Sequence, residues 1–157
     1  MTLTPVDLAG DDTDDLLALF REYGWWDDRE RDDVERALGN TDLAIGVREH
    51  DADERPGDGA LVAAARVITD FVYYARVYDV IVARDRRGDG VGRALLESVV
   101  GDERLADVNP VLLCREGLVP FYESVGLERY PESVAVPDDD VDGEEVLATL
   151  VHATAGE

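Results

Sequence analysis

The alternation of apolar and polar positions divides the chain into short strands and amphipathic helices. Helices are predicted where apolar side chains recur every three or four residues, and strands where β-branched or small apolar residues run together. Glycine, proline and polar clusters separate these segments. Strands are expected at Thr2–Val6, Leu43–Val47, Ala60–Ile68, Val77–Ala83 and Pro110–Cys114 and from Leu127 onward, and helices at 14–23, Arg29–Leu38, Val91–Gly101 and Gly117–Ser124.

The order of these segments predicts the fold class. After a short first strand, two helices come before three antiparallel strands, and the rest of the pattern alternates between helix and strand. We therefore expect one domain over residues 1–157, of the α+β class, with a mixed, mostly antiparallel central sheet and helices on both faces. Beyond Pro131 the pattern weakens, and Glu144–His152 fits a closing helix better than a last strand.

The most informative stretch runs from Val77 to Val100. Its apolar start predicts a strand, its middle at 84–92 is a turn rich in arginine and glycine, and its end predicts a helix. Glycine lets a backbone approach a ligand closely, and the free N–H groups at the start of a helix attract anions. A strand, a glycine turn and a helix start together predict a cradle for a phosphate group.

Two common phosphate-binding loops do not fit this stretch. A P-loop needs the sequence Gly-Lys-Ser/Thr, and the chain contains no lysine. A dinucleotide-binding loop has glycines spaced G-x-G-x-x-G, and after Gly88 and Gly90 the third position holds Arg93. The turn therefore belongs to another class of phosphate-binding site.

Two motifs point to that class by resemblance. Residues 87–92 read RGDGVG, with Val82 five residues upstream, and residues 121–127 read FYESVGL. In this order and at this distance the two motifs resemble the acyl-CoA signature and the second landmark of the GCN5-related N-acetyltransferases, the GNAT family. The resemblance covers roughly Leu16–Tyr130. It implies the fold of that family, acetyl-CoA as the co-substrate and no metal.

The resemblance also implies which residues bind the carrier. The backbone of Val80, Ile81 and Val82 would meet the pantetheine arm, which lies beside it as an added strand does. Arginine suits the phosphates because it donates paired hydrogen bonds; the alternative is that the arginines of the turn only pair with nearby carboxylates. Asp89 departs from the family, which usually has a basic or neutral residue there. The residues expected at the diphosphate are Arg87, Gly88, Asp89, Gly90, Val91, Gly92 and Arg93.

Tyr122 and Asp79 are the candidate catalytic residues. Tyr122 matches the family residue that protonates the departing thiolate; the alternative is a tyrosine packed between helix and sheet. Asp79 interrupts an apolar strand, so we expect burial to raise its pKa and to make it a base for the amine. The alternative for Asp79 is a structural carboxylate that accepts hydrogen bonds. Asp70 and Glu116 are weaker candidates for the base.

Trp25 and Trp26 are the candidate acceptor-binding residues. They separate the first two predicted helices, which border the acceptor cleft in the resembling family. A tryptophan pair lines a pocket for an apolar or aromatic amine, or forms a cation–π site. The alternative is a hydrophobic contact that only holds the two helices together.

The charge of the chain adds information about its surroundings. Acidic residues outnumber basic ones by 37 to 15, the net charge is −22, and every basic residue other than histidine is arginine. Such a chain repels itself in dilute buffer, and molar salt screens that repulsion. We interpret the acidity as adaptation to a salt-rich cytoplasm; the alternative is an acidic protein that binds basic partners. Nucleic-acid binding is disfavoured, because phosphate backbones require basic surfaces.

The remaining expectations concern location and activity. The chain shows no signal peptide and no apolar stretch long enough to span a bilayer, so we expect a cytoplasmic protein that does not associate with membranes. The resemblance implies direct transfer of acetyl from acetyl-CoA to a primary amine of a small molecule or peptide, and a homodimer is compatible with it. The alternative function is a non-catalytic acyl-CoA-binding sensor.

Overall fold

A computed structural model describes residues 1–129 of the chain. The chain divides into two compact units, Met1–Cys114 and Arg115–Glu157, and each is described by itself. The expectation of a single domain over the whole chain stays a prediction. The segment Glu144–His152 lies outside the described residues.

Five strands form the sheet of the first unit, and they follow one another in chain order. The first four pair antiparallel and the fifth pairs parallel to the fourth. This mixed and mostly antiparallel sheet confirms the expected α+β class. The strands are β1 (Thr2–Asp7), β2 (Leu43–His50), β3 (Ala60–Thr69), β4 (Ala75–Val82) and β5 (Pro110–Val111); the helices are α1 (Thr13–Phe20), α2 (Arg31–Gly39) and α3 (Val91–Val100) in the first unit and α4 (Val119–Ser124) in the second.

Helices cover both faces of this sheet, as the sequence predicts. Arg48 of β2 pairs with Asp15 of α1, at 3.0 Å. Ile45 of the same strand lines a surface cavity together with Ser98 of α3. Because residues an odd number apart on a strand point to opposite faces, α1 and α3 lie on opposite sides of the sheet.

The core explains why these helices form. Leu16 and Phe20 of α1 are four residues apart and 1% exposed, and Leu95 and Val99 of α3 repeat that spacing with no exposure. Each pair therefore presents one apolar stripe to the sheet. Small residues of β3, such as Ala65, let the helices approach closely. None of the helices in the described part has the length and apolar character that crossing a membrane requires.

The strand expected at Pro110–Cys114 is shorter and less buried than predicted. Only Ala75 and Arg76 of β4 pair with β5, so the segment after Val111 has no strand beside it. Leu113 is 75% exposed, and Cys114 is exposed as well. The strand expected from Leu127 is not formed within the described residues, where 127–129 are irregular.

Candidate functional site

The glycine turn between β4 and α3 leaves backbone donors open. Gly88 and Gly90 have φ angles of 84° and 83°, and Gly90 is the residue that precedes the first turn of α3. Such angles favour glycine, which has no Cβ. In residues 1–129 no acceptor is bonded to the backbone N–H of Gly88, Gly90, Val91 or Gly92. The turn and the first turn of α3 therefore present a group of donors to solvent.

The start of α3 also lacks the carboxylates found in the first turns of α1 and α2. The first turn of α1 contains Asp14 and Asp15, and that of α2 contains Asp32 and Asp33. The first turn of α3 contains no acidic residue, and no side chain caps it. The partial positive charge of a helix N-terminus is thus compensated at α1 and α2 and left uncompensated at α3.

The arginines around this turn divide into two kinds. Arg86 makes a bidentate pair with Glu49, and Arg93 pairs with Glu97 at 3.1 Å, so both are neutralised by carboxylates as the alternative interpretation expects. Arg87 instead donates from Nε to the hydroxyl of Tyr23 at 3.1 Å. In the described part of the chain no carboxylate lies within salt-bridge distance of Arg87.

The backbone of β4 offers a free edge next to the turn. The N–H of Ala83 donates to the carbonyl of Val62 in β3, so the backbone groups of Ala83 face β3. Because this direction alternates along a regular antiparallel pair, the backbone groups of Val82 face away from β3, where its carbonyl accepts a hydrogen bond from the Tyr23 hydroxyl. Described residues of β5 cover that side only at Ala75 and Arg76. In the described residues the edge of β4 at Val80–Val82 therefore has no strand beside it, which leaves room for an added extended chain, while the Ile81 side chain is buried as core.

Asp79 lies in a bulge of β4 and is held by two arginines. Asp79 and Val80 together face the single residue Ala65 of β3, and Asp79 has a φ of 54°. Its Oδ2 accepts from Arg29 Nη1 at 2.8 Å and from Arg66 Nε at 2.9 Å, and its Oδ1 accepts from Arg29 Nη2 at 3.1 Å. The side chain of Asp79 is only 10% exposed.

The expected rise in the pKa of Asp79 is wrong. Burial does raise the pKa of this carboxyl, but the hydrogen bonds and positive charges of Arg29 and Arg66 outweigh that effect and hold it below its ordinary value of 3.8. A carboxylate whose proton affinity is lowered is a poor base for an ammonium group. The geometry favours the structural alternative for Asp79.

The other two candidate bases are also held in their ionised form. Hydrogen bonds from the backbone N–H groups of Tyr74, Val72 and Tyr73 lower the pKa of Asp70, which closes the turn between β3 and β4. In the second unit, a hydrogen bond from Arg129 lowers the pKa of Glu116.

The two tryptophans belong to an aromatic cluster after α1. The ring centroids of Trp25 and Trp26 are 5.4 Å apart, and Trp26 also contacts Phe20 at 5.5 Å and Tyr23 at 6.0 Å. Trp26 is partly buried in these contacts, whereas Trp25 is 59% exposed. Trp26 therefore fills the packing role of the alternative, and Trp25, whose ring is 5.5 Å from that of Tyr23, is the more exposed member of the pair; a role of either residue in binding the acceptor stays a prediction.

Tyr122 lies in α4 of the second unit. It is 8% exposed, and its ring centroid is 5.2 Å from that of Phe121. Its backbone carbonyl accepts from the N–H of Leu127 at 3.1 Å, which closes the turn after the helix. The burial fits the packed alternative, and the role of Tyr122 in protonating the thiolate stays a prediction.

Three residues of this region were missed by reasoning from the sequence. Arg66 and Asp79 have opposite charges and interrupt two consecutive apolar strands. This pattern was the available signal for a contact between their side chains. Arg29 and Tyr23 lie in the irregular segment after α1, where no pattern marks a contact with β4.

The comparisons with known proteins agree with the resemblance. The model of the Acetyltransferase (GNAT) family matches residues 12–127. The chain is 29% identical over 132 residues to a histone acetyltransferase of Glycine max, a match that covers 80% of this chain and 57% of that protein. It is 38% identical over 77 residues to a chloroplastic serotonin N-acetyltransferase of Oryza sativa subsp. japonica, covering 48% of this chain and 38% of that protein. The chain thus spans little more than half of the first relative and less of the second.

A solved structure shares the fold. The ribosomal-protein-S18-alanine N-acetyltransferase of Escherichia coli aligns with a TM-score of 0.64 at 18% identity, over 80% of this chain and 77% of that one. At this identity the likeness concerns the fold alone.

Proposed function

The chain belongs to the GNAT family of acetyltransferases, and we propose that it moves an acetyl group from acetyl-CoA to a primary amine of a small molecule or a peptide. The transfer is direct, within a ternary complex of the protein, the carrier and the acceptor. The amine nitrogen forms a bond to the thioester carbonyl carbon, the carbon–sulfur bond breaks, and the sulfur leaves as a thiolate that takes up a proton.

One observation carries this proposal: the open backbone donors of Gly88, Gly90, Val91 and Gly92 at the start of a helix whose first turn contains no acidic residue. Donors in this arrangement suit a diphosphate, which accepts several charge-assisted hydrogen bonds at once. The open edge at Val80–Val82 leads away from this turn and suits the amide groups of pantetheine. The carrier would therefore lie with its phosphates on the turn and its arm along β4.

The acceptor is proposed only as an amine. The relatives are named for a histone, for serotonin and for a ribosomal-protein alanine, three different amine acceptors. The exposed Trp25 supports an acceptor with an apolar or aromatic part. Because the carboxylate of Asp79 is already held by two arginines, the amine would lose its proton to water or to bulk base.

An assay with a panel of amines tests the proposal. Purified protein in molar KCl is mixed with acetyl-CoA and each amine, and free thiol is measured. Release that depends on both the amine and the protein is expected, with binding of acetyl-CoA seen separately by calorimetry. Binding of ATP or NAD in preference to acetyl-CoA would contradict the assignment.

A non-catalytic acyl-CoA sensor is the second candidate function. The observation that favours it is the ion-paired state of Asp79, which removes the candidate base closest to the expected pantetheine edge. The same assay separates the two functions. A sensor binds acetyl-CoA tightly without releasing thiol in the presence of any amine in the panel.

Tyr122→Phe is expected to lower kcat roughly 10- to 100-fold without changing the affinity for acetyl-CoA. The reason is that the phenol hydroxyl would stabilise the leaving thiolate, and a hydrogen bond to a charged group contributes about 1.5–3 kcal/mol. The measurements are steady-state kcat and the calorimetric Kd for acetyl-CoA. Tyr74→Phe, which removes the hydroxyl of an exposed tyrosine, is the control. An unchanged kcat in Tyr122→Phe would assign Tyr122 to packing alone.

Raising KCl from 0.1 to 2 M is expected to raise the Tm by about 5 °C or more, since screening removes the mutual repulsion of a chain with a net charge of −22. We propose that the protein works in a salt-rich cytoplasm, and stabilisation by KCl is the behaviour expected of such a protein. Differential scanning calorimetry measures it. Glycine betaine, a zwitterion that does not screen charge, is the control for stabilisation by a solute that is excluded from the protein surface. A Tm that is flat or falls with KCl would favour the alternative of an acidic protein that binds basic partners.

A further inference from the structure

Tyr23 is buried between the end of β4 and the arginine-rich turn. It is 3% exposed, and its hydroxyl has two partners. The hydroxyl donates to the carbonyl of Val82 at 2.5 Å and accepts from Arg87 Nε at 3.1 Å. Tyr23 thus joins the two parts of the proposed carrier site, the strand edge and the glycine turn.

The ring of Tyr23 holds two arginines without a carboxylate. The guanidinium carbon of Arg84 lies 4.4 Å from the ring centroid and that of Arg87 lies 5.0 Å from it. Arg84 also donates from Nε to the backbone carbonyl of Glu22, whereas the Glu22 carboxylate accepts from the backbone N–H of Arg84 and makes no salt bridge with its guanidinium. A ring face attracts a cation through its quadrupole and leaves the positive charge of that cation uncompensated.

The neighbouring arginines have a different kind of partner from Arg84 and Arg87. Arg86 and Arg93 are paired with Glu49 and Glu97, so their charges are already compensated. Within residues 1–129, the Nη groups of Arg84 and Arg87 have no hydrogen-bond acceptor. In a chain with a net charge of −22, arginines in this state are the ones that retain attraction for a phosphate.

We propose that Tyr23 is a positioning residue, which holds Arg84 and Arg87 oriented toward the phosphate groups of the carrier without pairing them to a carboxylate. The inference rests on the proposed binding of acetyl-CoA. It adds a residue outside the two motifs, and it gives a physical reason for an aromatic rather than an acidic partner at this position. An acidic residue would hold the arginines as firmly but would compete with the phosphates for them.

A double-mutant cycle measured by calorimetry with acetyl-CoA tests the inference. Tyr23→Phe keeps the ring and loses the hydroxyl, so the Kd is expected to rise about 3- to 10-fold through loss of a hydrogen bond. Arg87→Gln is expected to raise the Kd about 10-fold. If Tyr23 acts through Arg87, adding Tyr23→Phe to Arg87→Gln raises the Kd by less than about twofold more.

The controls separate positioning from general stability. Tyr73→Phe is the matched tyrosine control and Arg36→Gln the matched arginine control, since both side chains are exposed. If Tyr23→Phe does not fold, Arg84→Gln replaces it, because this variant leaves the buried ring in place and is expected to raise the Kd several-fold.

The measured Kd values distinguish a failure of the inference about Tyr23 from a failure of the proposed function. A double variant whose Kd rises by the product of the two single effects would overturn the inference, and so would an unchanged Kd in Tyr23→Phe, or in both Arg84→Gln and Arg87→Gln. In these cases the wild type still binds acetyl-CoA, and the proposed function stands. A wild type that does not bind acetyl-CoA contradicts the proposed function and the inference together.

Discussion

Asp79→Asn is expected to lower the free energy of unfolding by about 3 kcal/mol at neutral pH. The substitution removes one charge from a cluster in which Asp79 is 10% exposed and Arg66 is 18% exposed, and it leaves Arg66 and Arg29 without their common carboxylate. Asparagine tolerates the φ of 54° at this position as well as aspartate does, so the change isolates the charge from the backbone. Denaturant unfolding in molar KCl measures the difference.

The stability difference between the wild type and Asp79→Asn is also expected to depend on pH. The pKa of Asp79 in the folded protein lies below its ordinary value of 3.8. The carboxylate therefore stabilises the fold above that value, and this contribution is lost as the pH falls through the lowered pKa. The difference in stability between the wild type and Asp79→Asn should be constant near neutrality and should shrink below about pH 4.

The control for Asp79 is Asp11→Asn, which removes one charge from an exposed side chain. This variant is expected to match the wild type within about 0.5 kcal/mol. The structural account also predicts that folded Asp79→Asn keeps most of its kcat. A folded variant whose kcat falls roughly 100-fold or more would return Asp79 to the role of general base.

Gly90→Val is expected to weaken the binding of acetyl-CoA at least about 100-fold. Gly90 has a φ of 83°, which a β-branched residue rarely adopts, so the turn must change its path before α3. Donors of Gly88, Gly90 and Val91 then lose their common direction, and each charge-assisted hydrogen bond contributes about 1.5–3 kcal/mol. A Cβ at this position meets no heavy atom within 4 Å, so the effect does not come from a packing clash.

Gly57→Val is the matched control for Gly90→Val. A Cβ at Gly57 also meets nothing within 4 Å, and the φ of Gly57 is not in the left-handed region. Calorimetry with acetyl-CoA should show the wild-type Kd for Gly57→Val. If Gly90→Val also kept the wild-type Kd, the backbone of this turn would not be the site of the phosphates.

The regular elements of the first unit were predictable because their patterns are local. Periodic apolar residues predicted α3 to within one residue of Val91–Val100, and β3 likewise at Ala60–Thr69. The length and exposure of β5 were not predictable, because they depend on how far β4 runs beside it, which is a long-range feature. The bulge at Asp79 depends in the same way on pairing between β3 and β4, and an apolar sequence does not reveal it.

The candidate site was predictable where backbone does the binding. The glycine turn and the helix start follow from residues 84–92 read in order. Partners of side chains were not predictable, since Asp79 meets Arg29 from 50 positions away and Arg87 meets Tyr23 from 64 positions away. For that reason the sequence predicts a raised pKa for Asp79 from burial alone, whereas the two arginines lower it in the structure.

The structure of the protein bound to CoA tests the central claim most directly. We expect oxygens of the diphosphate within hydrogen-bond distance of the backbone N–H groups of Gly88, Gly90, Val91 and Gly92, with the pantetheine arm beside Val80 and Val82. CoA bound elsewhere on the protein, with these N–H groups turned to solvent or to carboxylates of the chain, would contradict it.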